Sequence, residues 1–412
     1  MTTTEDERMS HTVQHTPWSE RVRMPTPKRE LDRRWAAVRT AMASEGIEVL
    51  IVHNHVDNLG GYVKYLGDIA SSGGYPLTFV FPLEDAMTMV AHGPHGRARD
   101  VSPTADPLFY GIKQIVGTWS FASASYTAQY DPEAIAKAVK PYAPARIGIL
   151  GMAQFPHLWM TYLQEALPKA EFVDASYLVD PIKAVKSEDE QRAIRATIEM
   201  QKAAFEAGLD AIEPGRREWE VIAAIAAATR DRGSVGGVLM IGSAPPGHPG
   251  MIDMPRHHNR VLQAGDQMTL LVEPSSVDGY FAEIGRTIVI GSANDALLEE
   301  HEFALAAYQR TVNHLRPGAS SSAIFSDYNA FMEEHGRPPE QRLHAHGQGY
   351  DIVERPLIRS DEPMLIEQGM FLAVHPFYVH GGAALLLCDY VLIGSDGASA
   401  PLHGVEQKVF EV

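Results

Sequence analysis

The chain reads as an α/β domain followed by an α+β domain that carries an internal pseudo-two-fold duplication. Three observations lead there. Helical and strand periodicities alternate as far as about Asp180, the rhythm of an α/β unit. At Ser187-Glu188-Asp189-Glu190 a capping box opens a much longer helix. Finally, "IEPGRREWEVIAAIAAATRDRG" (212–233) and "LRPGASSSAIFSDYNAFMEEHG" (315–336) share one plan. Each is 22 residues long, with Pro-Gly at the third and fourth positions and a terminal Gly. Each follows a long helical segment and precedes strand-rich sequence, which points to a duplicated unit.

The elements follow in order. Residues 1–28 are polar and aperiodic, and read as an arm that orders only against something else. Residues 29–180 form the first domain. Leu31, Trp35, Val38 and Met42 recur at helical spacing, and Gly46 closes the helix. "IEVLIV" is a buried strand, "LTFVFP" (77–82) and "AMTMVA" (86–91) a hairpin, and "RIGIL" (146–150) a strand before a helix starting near Pro156. "EFVDAS" is a short strand, and the Gly- and Tyr-containing 58–76 segment reads as a loop reaching a cleft. Residues 181–412 form the second domain, with long helices ending near Ile212 and running from about Asn294 to Leu315.

Bulk properties exclude several classes. With 412 residues, 45% hydrophobic and 21% charged, the chain has the composition of a soluble globular protein. No apolar run reaches the ~18 residues of a membrane helix, and the N-terminal stretch has no apolar signal core. A cytoplasmic protein is expected. A net charge of −17 repels phosphate backbones and argues against nucleic acid. The lone Cys388 rules out an intrachain disulfide and reads as core.

Chemistry-bearing residues gather in the second domain. "LVEPSSVDGYFAEIGRT" (271–287) places Glu273 and Glu283 on two strands joined by a Gly-containing turn. The bland alternative for Glu283 is an ion pair with Arg286. In "HAHGQGYD" (344–351), His344 and His346 stand two apart, which on a strand turns both to one face. Gly347 and Gly349 there let backbone approach a ligand. In "GMFLAVHP", Phe371, Ala373 and His375 alternate onto one face, and an imidazole in so apolar a strand needs a partner. Asp389 reads as the partner of an arginine or the orienter of a neighbour. The Pro- and Gly-rich 242–260 segment reads as a loop presenting His248, His257 or His258. Tyr350, Glu354 and Arg355 follow His346 and either meet substrate or cap a strand.

These motifs, in this order, resemble the "pita-bread" family of creatinase, prolidase, aminopeptidase P and methionine aminopeptidase. "IKAVKSEDEQRAIRATIEM", "LQAGDQMTLLVE", "GYFAEIGRT", "HAHGQGYD", "EQGMFLAVHPFYV" and "CDYVLIGSDG" carry the likeness. The family's peptidases hold two metal ions with Asp, Asp, His, Glu and Glu. Carried over by position, the first Asp falls on Val272, or on Glu273 if the strand slips by one. The second falls on Glu283, the His on His346, and the two glutamates on His375 and Cys388. The chain is thus similar to a divergent member that lacks most of the metal-ligand set.

The function expected from this resemblance is that of a creatinase-like, metal-independent hydrolase. It would cleave a C–N bond in a small polar substrate, would not be a peptidase, and would need no cofactor. His346 and His375 would act as general acid and base, one neutral and one charged near neutral pH. Glu283 and Glu273 would tune an imidazole and orient water or substrate. His248, His344, Tyr350, Arg355 and Tyr62 would contact substrate. One alternative is a lyase or hydrolase with one Fe or Zn ion on Glu283, His346 and His375. Another is a non-catalytic ligand- or peptide-binding protein. The resemblance also implies a homodimer in which the N-terminal domain of one chain covers its partner's cleft.

Overall fold

A computed structural model describes residues 25–54, 61–69, 75–104, 107–121, 123–253 and 259–412. Most of the expected arm lies outside them, as do His257 and His258. The apolar stripe of the first helix does fold as α1 (Lys28–Ser44), burying Leu31, Trp35, Val38 and Met42. After it come β1 (Val49–Asn54), α2 (Gly61–Gly67), β2 (Leu77–Pro82) and β3 (Met87–His92). The next are β4 (Ala98–Asp100), β5 (Ile112–Thr118), α3 (Tyr130–Val139), β6 (Arg146–Leu150), α4 (His157–Ala166), β7 (Glu171–Asp174) and α5 (Ser176–Ala184). The strands make one seven-stranded sheet in the order β4-β5-β3-β2-β1-β6-β7. Its two faces are covered by separate apolar clusters, one built around Trp35 and Phe79 and the other around Ile147 and Trp159. Asp180, where the sequence divides the halves, lies inside α5.

The capping box forms as read: Ser187 Oγ accepts from Glu190 N, and Glu190 reaches back to Ser187 N. It starts α6 (Glu188–Asp210), which is followed by α7 (Glu218–Arg230), β8 (Gly236–Ala244), β9 (Gln267–Ser275) and β10 (Ile284–Val289). The repeat follows as α8 (Asp295–His314) and α9 (Ser321–Glu334), then β11 (Ala345–Gly347), β12 (Glu354–Leu357), β13 (Phe371–Val374), β14 (Phe377–His380), β15 (Ala383–Leu392) and β16 (Phe410–Glu411). Sheet order confirms the duplication. β8-β9-β10 of one half meets β15-β13-β11-β12 of the other, and the seam is the pairing of Gly285 with Cys388 and Arg286 with Leu387. The helices of each half back its own strands: Phe205 and Ile225 pack on Leu270 and Ile284, while Ile324 and Phe325 pack on Ala345 and Leu372.

Alternation along β9 and β10 decides which residues face away from those helices. Val272 and Ile284 join the helix-side core. Leu271 lies on the other face against Leu386 and Cys388. Of the two candidates for the first family position, Val272 is therefore core, and Glu273 turns to the cleft side.

The segment after His346 is anchored by buried charge. The Glu354 carboxylate accepts from Lys186 Nζ at 2.7 Å, pairs with Lys183 Nζ at 2.9 Å, and takes Asp351 N at 3.1 Å. Lys183 also meets Asp351, whose other oxygen accepts from Gly61 N at 2.6 Å and so ties α2 to this segment. Removing one partner of such a lattice strands the rest without water. Glu354→Leu should lower unfolding free energy by roughly 3 kcal/mol or more, read from urea midpoints. A loss under about 1 kcal/mol would show that the lattice is not a support.

Candidate metal centre

At the seam of the two halves, Glu283, His346 and His375 bring ligand atoms within 4.8 Å of one another. Three elements deliver them. Glu283 immediately precedes β10, His346 is the middle residue of β11, and His375 directly follows β13. Pairing of Ala345 with Val374, continued by His375 N donating to His344 O at 2.9 Å, sets the two histidine strands side by side. All three side chains are buried.

His346 Nδ1 lies 2.8 Å from Gly347 O. A carbonyl can only accept, so Nδ1 carries a hydrogen and the ring is held with Nε2 turned away from that carbonyl. That Nε2 faces Glu283 Oε2 at 3.6 Å, too long for a hydrogen bond. Ligands of one small cation at roughly 2.1 Å each are separated by about this much. Burial pushes His375 down to about 4, against the pull of Glu283 and with help from His346 and Arg342, so its ring is neutral. Burial works to raise Glu283, but His375, His346 and the Cys388 thiol bring it down to about 2, so it is a carboxylate. Two imidazoles and one carboxylate fit a single divalent cation with open positions.

Around this trio sit groups of a different kind. Burial, with Glu283 and Asp389 adding to it, pushes the Cys388 thiol up, so the residue standing at a family ligand position is a neutral hydrogen-bond donor to Glu283. Burial also pushes Glu273 well up, and the charge of Glu283 adds to it. Glu273 Oε1 accepts from Gln348 Nε2 at 2.6 Å. Gln348 was passed over in the sequence, although its place two residues beyond His346 was the available signal. Arg286 does not pair with Glu283. Its donors go to Asp389 Oδ1 at 2.8 Å and to the carbonyls of Gly285, Cys388, Val405 and Glu406.

The expected substrate contacts fall elsewhere. His344 does not share a face with His346. The short strand starts only at Ala345, and His344 stacks on Tyr328 with ring centroids 3.8 Å apart. Tyr350 is buried, stacked on Tyr280 and bonded by Arg34. Arg355 is occupied by Glu362 and lies 3.6 Å from Asp180. Tyr62 sits in α2, within what the sequence suggested was a loop, and its hydroxyl donates to Asp180. His248 is exposed in a turn, its carbonyl accepting from Gln267.

A duplicated, helix-backed sheet with imidazoles and a carboxylate converging at its seam defines a pita-bread protein with a candidate metal site. Comparison with known proteins agrees. Residues 192–395 match "Metallopeptidase family M24" and residues 34–185 match the "Creatinase/Prolidase N-terminal domain". An Xaa-Pro dipeptidase of Pyrococcus furiosus is 26% identical over 233 residues, 55% of this chain and 66% of that one. A probable dipeptidase PepE of Mycobacterium bovis is 27% identical over 278 residues, 65% of this chain and 71% of that one. Among solved structures, an Xaa-Pro dipeptidase from Bacillus anthracis superposes with a TM-score of 0.73 at 20% identity, covering 93% of this chain and all of that one. An X-Pro aminopeptidase from Thermotoga maritima gives 0.75 at 17%, covering 92% and 99%. The chain belongs to the creatinase–prolidase–aminopeptidase P family, the pita-bread metallopeptidases.

This overturns two expectations. Metal independence and the absence of a cofactor fail against the match to a metallopeptidase family and a buried trio that could hold a cation. The non-peptidase assignment fails because the relatives are dipeptidases and an aminopeptidase.

His344 offers a direct check on this electrostatics. Both its ring nitrogens are buried without partners, and burial, aided by the charge of His375, pushes it down to about 3. Its contribution to stability is therefore complete above the unfolded value near 6.5 and is lost as pH falls toward 3. His344→Phe keeps the stack on Tyr328 and should flatten that loss while leaving the melting temperature at pH 7.5 equal or higher. Unchanged acid sensitivity in melts between pH 7.5 and 4 would contradict this placement.

Proposed function

We propose that the chain is a metal-dependent hydrolase of short peptides, an Xaa-Pro-type dipeptidase working with one divalent cation on Glu283, His346 and His375. The observation that carries this reading is the Glu283 carboxylate and His346 Nε2, buried 3.6 Å apart with His375 beside them. A small cation between them would be held by all three. The printed names of the relatives supply the substrate class.

A bound divalent cation makes water nucleophilic at neutral pH and polarises a carbonyl. The protein's own groups do the rest. Glu283 balances positive charge and, through its bond from Cys388, keeps a fixed orientation. The Gly347 carbonyl holds the His346 ring in one tautomer. Glu273 retains a proton that it can give to a leaving nitrogen, and Gln348 fixes its carboxyl in place. His375 and Cys388 replace two carboxylates, and so much less negative charge is present than a pair of cations needs. A single ion therefore fits better than two. The reading includes a homodimer and a division of the chain near residue 180. No helix among the described residues is long and apolar enough to cross a membrane.

Protein purified without chelator should carry one divalent ion per chain by elemental analysis. Hydrolysis of Xaa-Pro dipeptides should vanish on chelation and return with Fe(II), Zn(II) or Mn(II). Glu283→Gln and His375→Ala should each lose both metal and turnover, whereas Glu273→Gln should keep the metal and lower kcat by about 10²–10⁴-fold. Two ions per chain, or turnover that survives stripping, would refute the proposal.

A further inference from the structure

Glu273 and Glu283 stand where their two strands stop pairing. The β9–β10 ladder ends at Val272 opposite Ile284. Its register, carried on, sets Glu273 opposite Glu283 and Pro274 opposite Ala282. Proline has no N–H, so the exchange of backbone bonds cannot continue there. Two acids opposite each other on one face add nothing that would hold the strand ends together.

A side chain from α6 spans this gap. Gln201 is buried, and its Nε2 donates to Pro274 O at 2.8 Å and to Ala282 O. One amide nitrogen thus clasps the carbonyls of the residues next to both glutamates. With each N–H spent on a carbonyl, Gln201 Oε1 is left as an acceptor. It takes a hydrogen bond from His403 Nε2 at 3.0 Å. His403 is also buried, and its Nδ1 has no partner. Burying a ring nitrogen unpaired costs stability, so the pair is explained by what it positions. One turn earlier on α6, Thr197 Oγ1 donates to Ser276 Oγ at 2.8 Å, which gives the connecting turn an anchor of its own.

We propose that Gln201 is a positioning residue, aimed by His403, that fixes the separation of Glu273 from Glu283 and so keeps Glu283 in place beside His346 and His375. The inference rests on the hydrolase reading for the roles of the two glutamates and adds the parts that space them. Neither Gln201 nor His403 touches substrate or cation.

The first readout needs neither metal nor turnover. Hydrogen exchange of the metal-free full chain is followed by mass spectrometry over peptides covering residues 271–286. Gln201→Met and His403→Phe should each speed exchange there about tenfold and leave peptides of the first domain unchanged. His403→Gln keeps a donor within reach of Gln201 and should stay close to wild type. The second readout is Zn(II) affinity, titrated against a chromophoric chelator. Gln201→Met and His403→Phe should each weaken it about 10- to 100-fold. The double variant should match Gln201→Met alone, because His403 acts through Gln201. Wild-type exchange in Gln201→Met, or losses that multiply in the double variant, overturns the proposal. Should Gln201→Met fail to fold, equal exchange in His403→Phe and His403→Gln overturns it instead. A wild type that takes up no Zn(II) sinks the metal-dependent hydrolase reading, and the exchange rates still decide the clasp.

Discussion

Everything at the centre depends on how the segment from Ala345 to Glu354 is held. It carries His346 and Gln348, is short on regular hydrogen bonds, and includes two glycines. Rigidity is imported instead. Glu354 is clamped between Lys183 and Lys186, Gly349 O accepts from Phe281 N at 2.7 Å, and Gln348 O accepts from Tyr390 Oη at 3.0 Å. Gly349 has no room for a side chain, because a Cβ there would sit 2.9 Å from both the Glu354 carboxylate and Lys186 Nζ. Buried ion pairs are rarely a net source of stability. Here they hold a loop to which the first domain is also bonded, through Gly61 and Asp351.

Much of the fold was legible because the signals are local. Helical stripes, the Ser187 capping box and the repeated Pro-Gly units each depend on a few adjacent residues, and they gave α1, α6, α7, α8 and α9 nearly in place. The elements that escaped notice lacked such signals. β4 is three exposed residues at a sheet edge, and α2 is seven residues with glycine at both ends. The site was legible in part, through a different route. Order of motifs brought Glu283, His346 and His375 together, because position within a duplicated fold fixes what meets at the seam.

What could not be read was the long-range bookkeeping of partners. Tyr350 and Arg355 follow His346 in the chain and Tyr62 lies in the 58–76 segment, yet Tyr62 is bonded to Asp180, Tyr350 to Arg34 and Arg355 to Glu362. His344 misled for a local reason, since the two-residue periodicity invoked for it applies only inside a strand and β11 begins one residue later. The larger error concerned chemistry. Exchange of two carboxylates for His375 and Cys388 points, in sequence alone, to loss of the two-metal set, whereas an imidazole is itself a good donor to a single cation.

Two of the five hydrogen bonds that Arg286 donates end on the carbonyls of Val405 and Glu406; the others go to Asp389, Gly285 and Cys388. Residues 405 and 406 are thus a structural wall behind the strand that follows Glu283. A chain shortened ahead of Val405 would leave the guanidinium hanging in a dry cavity and slacken the strand that presents Glu283. The far end of the polypeptide and its chemistry are mechanically one part.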